Sequence, residues 1–283
     1  VGLPVVLGQP WGSWRVAGLM LAALMLVPLG ISVAATAGRD APGEVAPHRE
    51  SMWSVLRNRA FRRTSALFLA AWSSIAVLSA LVPFYVEHHL RHPELLDATF
   101  AAIQLSALAC IPGVVWLAAR REKHLAYAAL VGSWALVMLF LAAVPQGAAT
   151  TALFIATLAG PGVAAAHVLP WSMLPDVVEL DRAEQGLDRA GAFYGVMTFL
   201  EKLATALALW GLGLGLQLAG YEEGAATQPE LAQLAIRVLI GPVPAVVLVL
   251  AAIGAVWLPP LTRDAHRQLV ERLHRAPAGP PTV

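Results

Sequence analysis

Long apolar stretches separated by short charged segments set the pattern of this chain. Six stretches contain no Asp, Glu, Lys or Arg: residues 16–37, 64–86, 98–119, 125–144, 150–175 and 238–258. A seventh, 190–218, is equally apolar apart from Glu201 and Lys202. A helix needs about 20 largely apolar residues to cross the hydrocarbon core of a bilayer, and each stretch meets that length. Strands of a membrane barrel alternate in short segments, and no such alternation occurs. The pattern predicts an all-α membrane protein with seven transmembrane helices.

Composition reinforces this. Of the 283 residues, 58% are hydrophobic and 13% charged, with a mean hydropathy of +0.67. A soluble domain carries about 25% charge, so spreading this chain over one would leave large exposed apolar patches. A net charge of +1 gives no polyanion-seeking balance and no reason to expect nucleic acid, and the single Cys110 excludes an intramolecular disulfide framework.

Basic residues fix the expected orientation. Fifteen of the 19 Lys and Arg fall on one side of the predicted topology, including Arg57, Arg59, Arg62 and Arg63, Arg120, Arg121 and Lys123, Arg182 and Arg189, and the tail from Arg263. The positive-inside rule makes that side cytoplasmic. The C-terminus is then inside and Val1 outside. The opening segment VGLPVVLGQPWGS has neither the basic region nor the cleavage site of a signal peptide. The expectation is a piece of a longer protein with helices upstream; a genuine seven-helix protein is the alternative.

Residues 38–63 form the longest charged insert. Its first half, GRDAPGEVAPH, reads as a linker. Ser51 then predicts a short capped helix with Trp53, Leu56 and Ala60 on one face and arginines beside it, as on an anionic membrane surface. The insert divides one helix from six. Transporters are commonly built from two six-helix halves around a mid-membrane site. That plan predicts residues 1–37 as the last helix of an N-terminal half, 38–63 as the linker between halves, 64–262 as a six-helix C-terminal half and 263–283 as a cytoplasmic tail.

Ionisable groups within a span are costly and therefore functional by default. Lys202 is 12 residues past Ala190, about 18 Å along a helix, too deep to reach the surface easily. Thr198, one turn earlier, shares its face, so hydroxyl and ammonium are expected to point together into the bundle interior. Pro170 and Pro175 weaken the fifth span and Gly160-Pro161-Gly162 loosens its middle, as in helices that line a cavity. His167 and Trp171, one turn apart, would share that lining. Beyond Pro175, Asp176, Glu179 and Asp181 meet Arg182 and Arg189, which predicts ion pairs at a helix mouth. Metal binding by these acids is weakly signalled, because no histidine joins them at ligand spacing.

The runs LPWSMLPDVVELD, GLDRAGAFYGVMTFLEKLA and LGLGLQLAGY resemble the glycoside–pentoside–hexuronide:cation symporter family of the major facilitator superfamily. LRNRAFRR before the second span and the tail LTRDAHRQLVERLHR are similar as well. The resemblance implies Lys202 at the junction of solute and coupling-cation sites, with Thr198 and Tyr194 nearby. It implies His167 at a position where family members often carry a solute-facing aromatic, and Asp176, Glu179 and Arg189 in an inner ionic gate. The family's cation-binding acids lie on helices of an N-terminal half absent from this chain. Glu201 has no counterpart in that pattern.

The function expected is cation-coupled (Na⁺ or H⁺) symport of a sugar or related small polar solute by alternating access, with no catalytic residues, resident metal or cofactor. The partners expected are the lipid bilayer and the missing N-terminal half, and the location a bacterial inner membrane. A sodium-coupled lysophospholipid transporter of the same superfamily is the first alternative. A metal-dependent membrane lipid phosphotransferase using Asp176, Glu179 and Asp181 is the alternative from another class.

Overall fold

The structure is a computed structural model that describes residues 12–37, 52–225 and 227–259. These residues are almost wholly helical and contain no strand. Seven helical stretches are long and apolar enough to cross a membrane, as the sequence pattern predicts.

The chain divides into two units, Val1–Glu50 and Ser51–Val283. The first contributes α1 (Gly12–Thr36), apolar on every side, with Pro28 accommodated inside it. In the second, α2 (Arg59–Phe84) is prolonged by a π-helical turn, Tyr85–Leu90. There follow α3 (Leu96–Arg120), α4 (Lys123–Ala143), α5 (Ala149–Thr157), α6 (Gly160–Gln185), α7 (Ala190–Leu218), α8 (Glu230–Ile240) and α9 (Pro242–Trp257).

Two spans are broken helices. The fifth is α5 plus α6, interrupted at Leu158–Ala159, immediately before Gly160-Pro161-Gly162. A carbonyl freed at such a break needs a partner in a bilayer, and Ser106 Oγ of α3 donates to Thr157 O at 2.6 Å. Gly160 permits this approach, since a Cβ there would lie 2.1 Å from Ser106 Oγ. The last span is α8 plus α9, hinged at Gly241. By contrast, Pro170 and Pro175 do not interrupt α6. The weakening expected there is absent because that part of α6 is packed on neighbours along Leu169, Met173, Leu174 and Val177. The helix therefore runs ten residues beyond Pro175, to Gln185, and is closed by Gly186 in the left-handed conformation (φ 70°).

Helix α6 packs on α2, α3 and α4, while α2 also meets α7 and α9, and α9 lies along α4. Two buried tyrosines fasten α4 to the long second span: Tyr127 Oη donates to Leu67 O at 2.6 Å and Tyr85 Oη to Leu141 O at 2.7 Å. Buried hydroxyls in apolar surroundings require such partners. A second core joins α2, α6 and α7 through Phe61, Phe68, Leu174, Val177, Phe193 and Met197.

The segment before α2 departs from the expected amphipathic α-helix. Met52–Arg57 is a 3₁₀ helix that buries Val55 and leaves Trp53 exposed, while Ala60 already belongs to α2. Ser51, the expected cap, lies outside the described residues, as does the tail from Arg263. Asn58 caps α2, its Oδ1 accepting the Phe61 N–H at 3.1 Å.

Candidate functional site

The stripe Phe193, Met197, Glu201 on α7 turns toward the bundle. Phe193 meets Phe61 edge-on with centroids 5.0 Å apart, and Met197 Sδ accepts from Ser65 Oγ. Glu201 is the next turn of this stripe, with its side chain nine-tenths buried. Sequence neighbours on a helix point about 100° apart. Lys202 therefore leaves α7 on the open side, its side chain 74% exposed, and bends back to place Nζ 2.9 Å from Glu201 Oε1. Lys202 and Thr198 share a face as expected, yet both are exposed. The interior takes Glu201 instead, which corrects the inward orientation expected for the lysine.

The next turn of α7 ties the pair to α2. Thr205 Oγ1 donates to Glu201 O at 2.9 Å and accepts from Trp72 Nε1 at 3.1 Å. Trp72 then meets the His167 ring of α6 at 5.4 Å. One turn below it, Phe68 contacts Trp171 at 5.4 Å, and Trp171 lies nearly parallel to Tyr194 of α7, 11° between planes and centroids 6.4 Å apart. Trp171 and Tyr194 are thus brought together by α6 and α7, Trp72 of α2 touches both His167 and Thr205, and Thr198 and Lys202 follow Tyr194 along α7. His167 Nδ1 is hydrogen-bonded to Val163 O at 2.8 Å. Its ring also lines a cleft of about 290 Å³ with Ser79, Gln104, Ile75, Phe100 and Val82. That cleft is a largely apolar slot with three polar side chains on its wall. Trp72, Thr205 and Gln104 are members of this region that the sequence reading did not single out. A signal for Trp72 lay in its register, seven residues before Ser79 on α2.

At the arginine-bearing end the ion pairs are distributed differently from the expected gate. Arg189 engages Asp181, with Nη2–Oδ1 at 2.6 Å and Nε–Oδ2 at 3.0 Å. Asn58 Nδ2 donates to Asp181 Oδ1 at 3.1 Å, and Arg189 Nη1 to Ser54 Oγ at 3.1 Å. The cluster fastens the 3₁₀ helix and the start of α2 to the α6–α7 turn. Asp176 instead pairs with Lys123 of α4 at 2.5 Å, and Lys123 Nζ also donates to Ser172 O. Glu179 is exposed on α6. Asp176 and Asp181 therefore turn to different partners, Lys123 of α4 and Arg189 at the α6–α7 turn. Among the described residues, no group of three or more His, Cys, Asp or Glu is arranged to hold a metal.

A deep-set lysine, an adjoining aromatic wall and broken helices can bind a polar or charged group and change shape around it. Comparison with known proteins agrees with this architecture. The family model for MFS/sugar transport protein matches residues 2–263. An uncharacterized symporter of Synechocystis sp. is 33% identical over 76% of this chain and 41% of its own length. A sodium-dependent lysophosphatidylcholine symporter of Xenopus tropicalis is 26% identical over 89% of this chain and 49% of its own. A sphingosine-1-phosphate transporter of the same organism is 23% identical over 90% and 50%. The chain spans about half the length, or somewhat less, of these curated relatives. Its seven apolar spans and the match over nearly all of its length make it an integral membrane protein of the major facilitator superfamily, in the MFS/sugar transport protein family.

Proposed function

We propose that this chain supplies the solute-binding C-terminal half of a Na⁺-coupled symporter. Residues 1–37 are the last helix of the first half, 38–63 the linker, 64–262 the second half and 263–283 a cytoplasmic tail. The observation that carries the reading is Lys202, an ammonium held in an apolar span on the open side of α7 with its partner Glu201 behind it. Thr198 and Tyr194 precede it on α7, Trp171 of α6 lies against Tyr194, and His167 lies beyond Trp72. A site open on one side of a six-helix half is completed by the other half in alternating access. Asp176 and Glu179 of α6, together with Arg189, stand at the inner mouth of this site.

The solute we favour is a single-chain lipid with a phosphate headgroup. Lys202 would take the phosphate, and the apolar slot between α2 and α3 would shelter part of the chain. The chain's similarity to a sodium-dependent lysophosphatidylcholine symporter and to a sphingosine-1-phosphate transporter supports both this solute class and sodium. A sugar is the second reading, favoured by the flat faces of Trp171 and Tyr194.

The complete protein in proteoliposomes tests both. An inward Na⁺ gradient is expected to drive accumulation of lysophosphatidylcholine and not of simple glycosides. Accumulation of a glycoside instead selects the sugar reading. Equal uptake with and without any cation gradient overturns symport.

A further inference from the structure

We infer that Glu201 is a cation site working in exchange with Lys202: an anionic headgroup that takes the ammonium leaves Glu201 to be neutralised by one monovalent cation. This rests on the symport reading above and adds to it a stoichiometric link between solute and cation within this chain.

The geometry gives the two residues unequal surroundings. Glu201 is nine-tenths buried against α2, whereas Lys202 is 74% exposed. Among the described residues the partner of the Glu201 carboxylate is Lys202 Nζ, at 2.9 Å. Thr205, the adjacent hydroxyl, donates to the Glu201 backbone and is itself engaged by Trp72. An incoming phosphate therefore finds the lysine first and competes with the carboxylate for the same ammonium.

An anion that takes the ammonium leaves a buried carboxylate without its counter-charge, which is unfavourable away from water. Solute binding alone would thus leave Glu201⁻ buried and without its ammonium, one turn from the Thr205 hydroxyl that Trp72 engages. A cation arriving on the carboxylate restores neutrality, and the balance is simple. One anion joins Lys202, one H⁺ or Na⁺ joins Glu201, and both leave when the ammonium returns to Oε1.

Among the described residues, other charges do not offer this compensation. Of the titratable and charged groups on the elements packed against α7, His167 stands near this level, on the far side of Trp72. Arg57, Arg59, Arg62 and Arg63 lie at the basic end, as do the acids of α6. Glu87, His88, Glu230 and Arg237 lie at the opposite end.

The test uses the complete protein in detergent with lysophosphatidic acid, a single-chain phosphate monoester, as probe. Proton uptake is read with a pH indicator in weak buffer, and ²²Na⁺ binding by equilibrium dialysis. The wild type is expected to take up about one cation per bound probe. Glu201→Gln is expected to bind the probe more tightly, without a competing carboxylate, and to take up none. Glu201→Asp is expected to restore the uptake. Loss of proton uptake in Glu201→Gln assigns the proton, and loss of ²²Na⁺ assigns sodium. Unchanged uptake of both overturns the proposal while leaving symport standing. Failure of the wild type to bind the probe overturns the phosphate-headgroup reading and this proposal together.

A readout that needs no variant is labelling of wild-type Glu201 by dicyclohexylcarbodiimide, which attacks protonated carboxyls. Probe binding is expected to change that rate severalfold, upward for a proton and downward for Na⁺. An unchanged rate overturns the proposal.

Discussion

Arg189 grips Asp181 with two parallel hydrogen bonds, Nη2 to Oδ1 at 2.6 Å and Nε to Oδ2 at 3.0 Å, with side-chain exposures of 11% and 3%. Two-pronged guanidinium–carboxylate contacts fix orientation as well as charge. Here they hold the α6–α7 turn against Asn58 and Ser54. Truncating one partner of a buried pair costs about 3–5 kcal/mol. Asp181→Asn should therefore lower the thermal unfolding temperature of the purified protein sharply. Arg189→Lys, which keeps the charge and loses the fork, should lower it less. Equal and small shifts in both would show that the cluster is not a structural fastening.

Asp176 and Lys123 make the contrasting case. About a third of each side chain is exposed, so solvent screens the pair, and Lys123→Met should cost at most about 1 kcal/mol. A drop as large as that of Asp181→Asn would contradict this ranking.

Gly160→Ala should be poorly tolerated. The added Cβ would meet Ser106 Oγ at 2.1 Å and the Ser106 backbone at 2.7 Å, which forces α3 and α6 apart. Overpacking of this kind costs about 1–3 kcal/mol. Gly211→Ala, where nothing lies within 4 Å, is the matched control on α7 and should be neutral. Similar stability losses in the two variants would sink the argument.

Lys202→Ala should abolish gradient-driven accumulation by the complete transporter, and adding Glu201→Gln, which removes the carboxylate left without its partner, should return expression to near the wild-type level without restoring accumulation. Full accumulation by Lys202→Ala would remove Lys202 from the mechanism.

Trp72→Phe keeps an aromatic ring beside His167 and Phe68 but loses the hydrogen bond to Thr205. One such bond contributes about 1 kcal/mol. The variant should fold and show a modest loss of stability, and Thr205→Val should lose a similar amount. The double variant should lose less than the two together. Additive losses would mean that the 3.1 Å contact couples nothing.

The sequence pattern located every span because an apolar run of that length has one use in a bilayer. For α7 the expected and observed ends coincide, at Ala190 and Leu218. The break in the fifth span was legible in Gly160-Pro161-Gly162, whereas Pro170 and Pro175 misled. A proline removes one backbone bond, and packing of α6 on neighbouring helices outweighs that loss. Which face of α7 turns inward was not legible, since the helix is apolar nearly all round and its stripe Phe193, Met197, Glu201 carries no contrast. The pairing of Asp176 with Lys123 was equally hidden. The two are 53 positions apart, and only the packing of α4 on α6 brings them together.

Glu201 and Lys202 are covalent neighbours, unlike ion pairs that await the arrival of a second helix. Their contact is available as soon as α7 leaves the ribosome and winds. Each charge alone would add a few kcal/mol to the cost of entering the bilayer. Together they can cross as an internally neutral unit, before any part of the bundle has assembled. The chain can thus place a releasable charge in the middle of a span without making its own biogenesis depend on the finished fold.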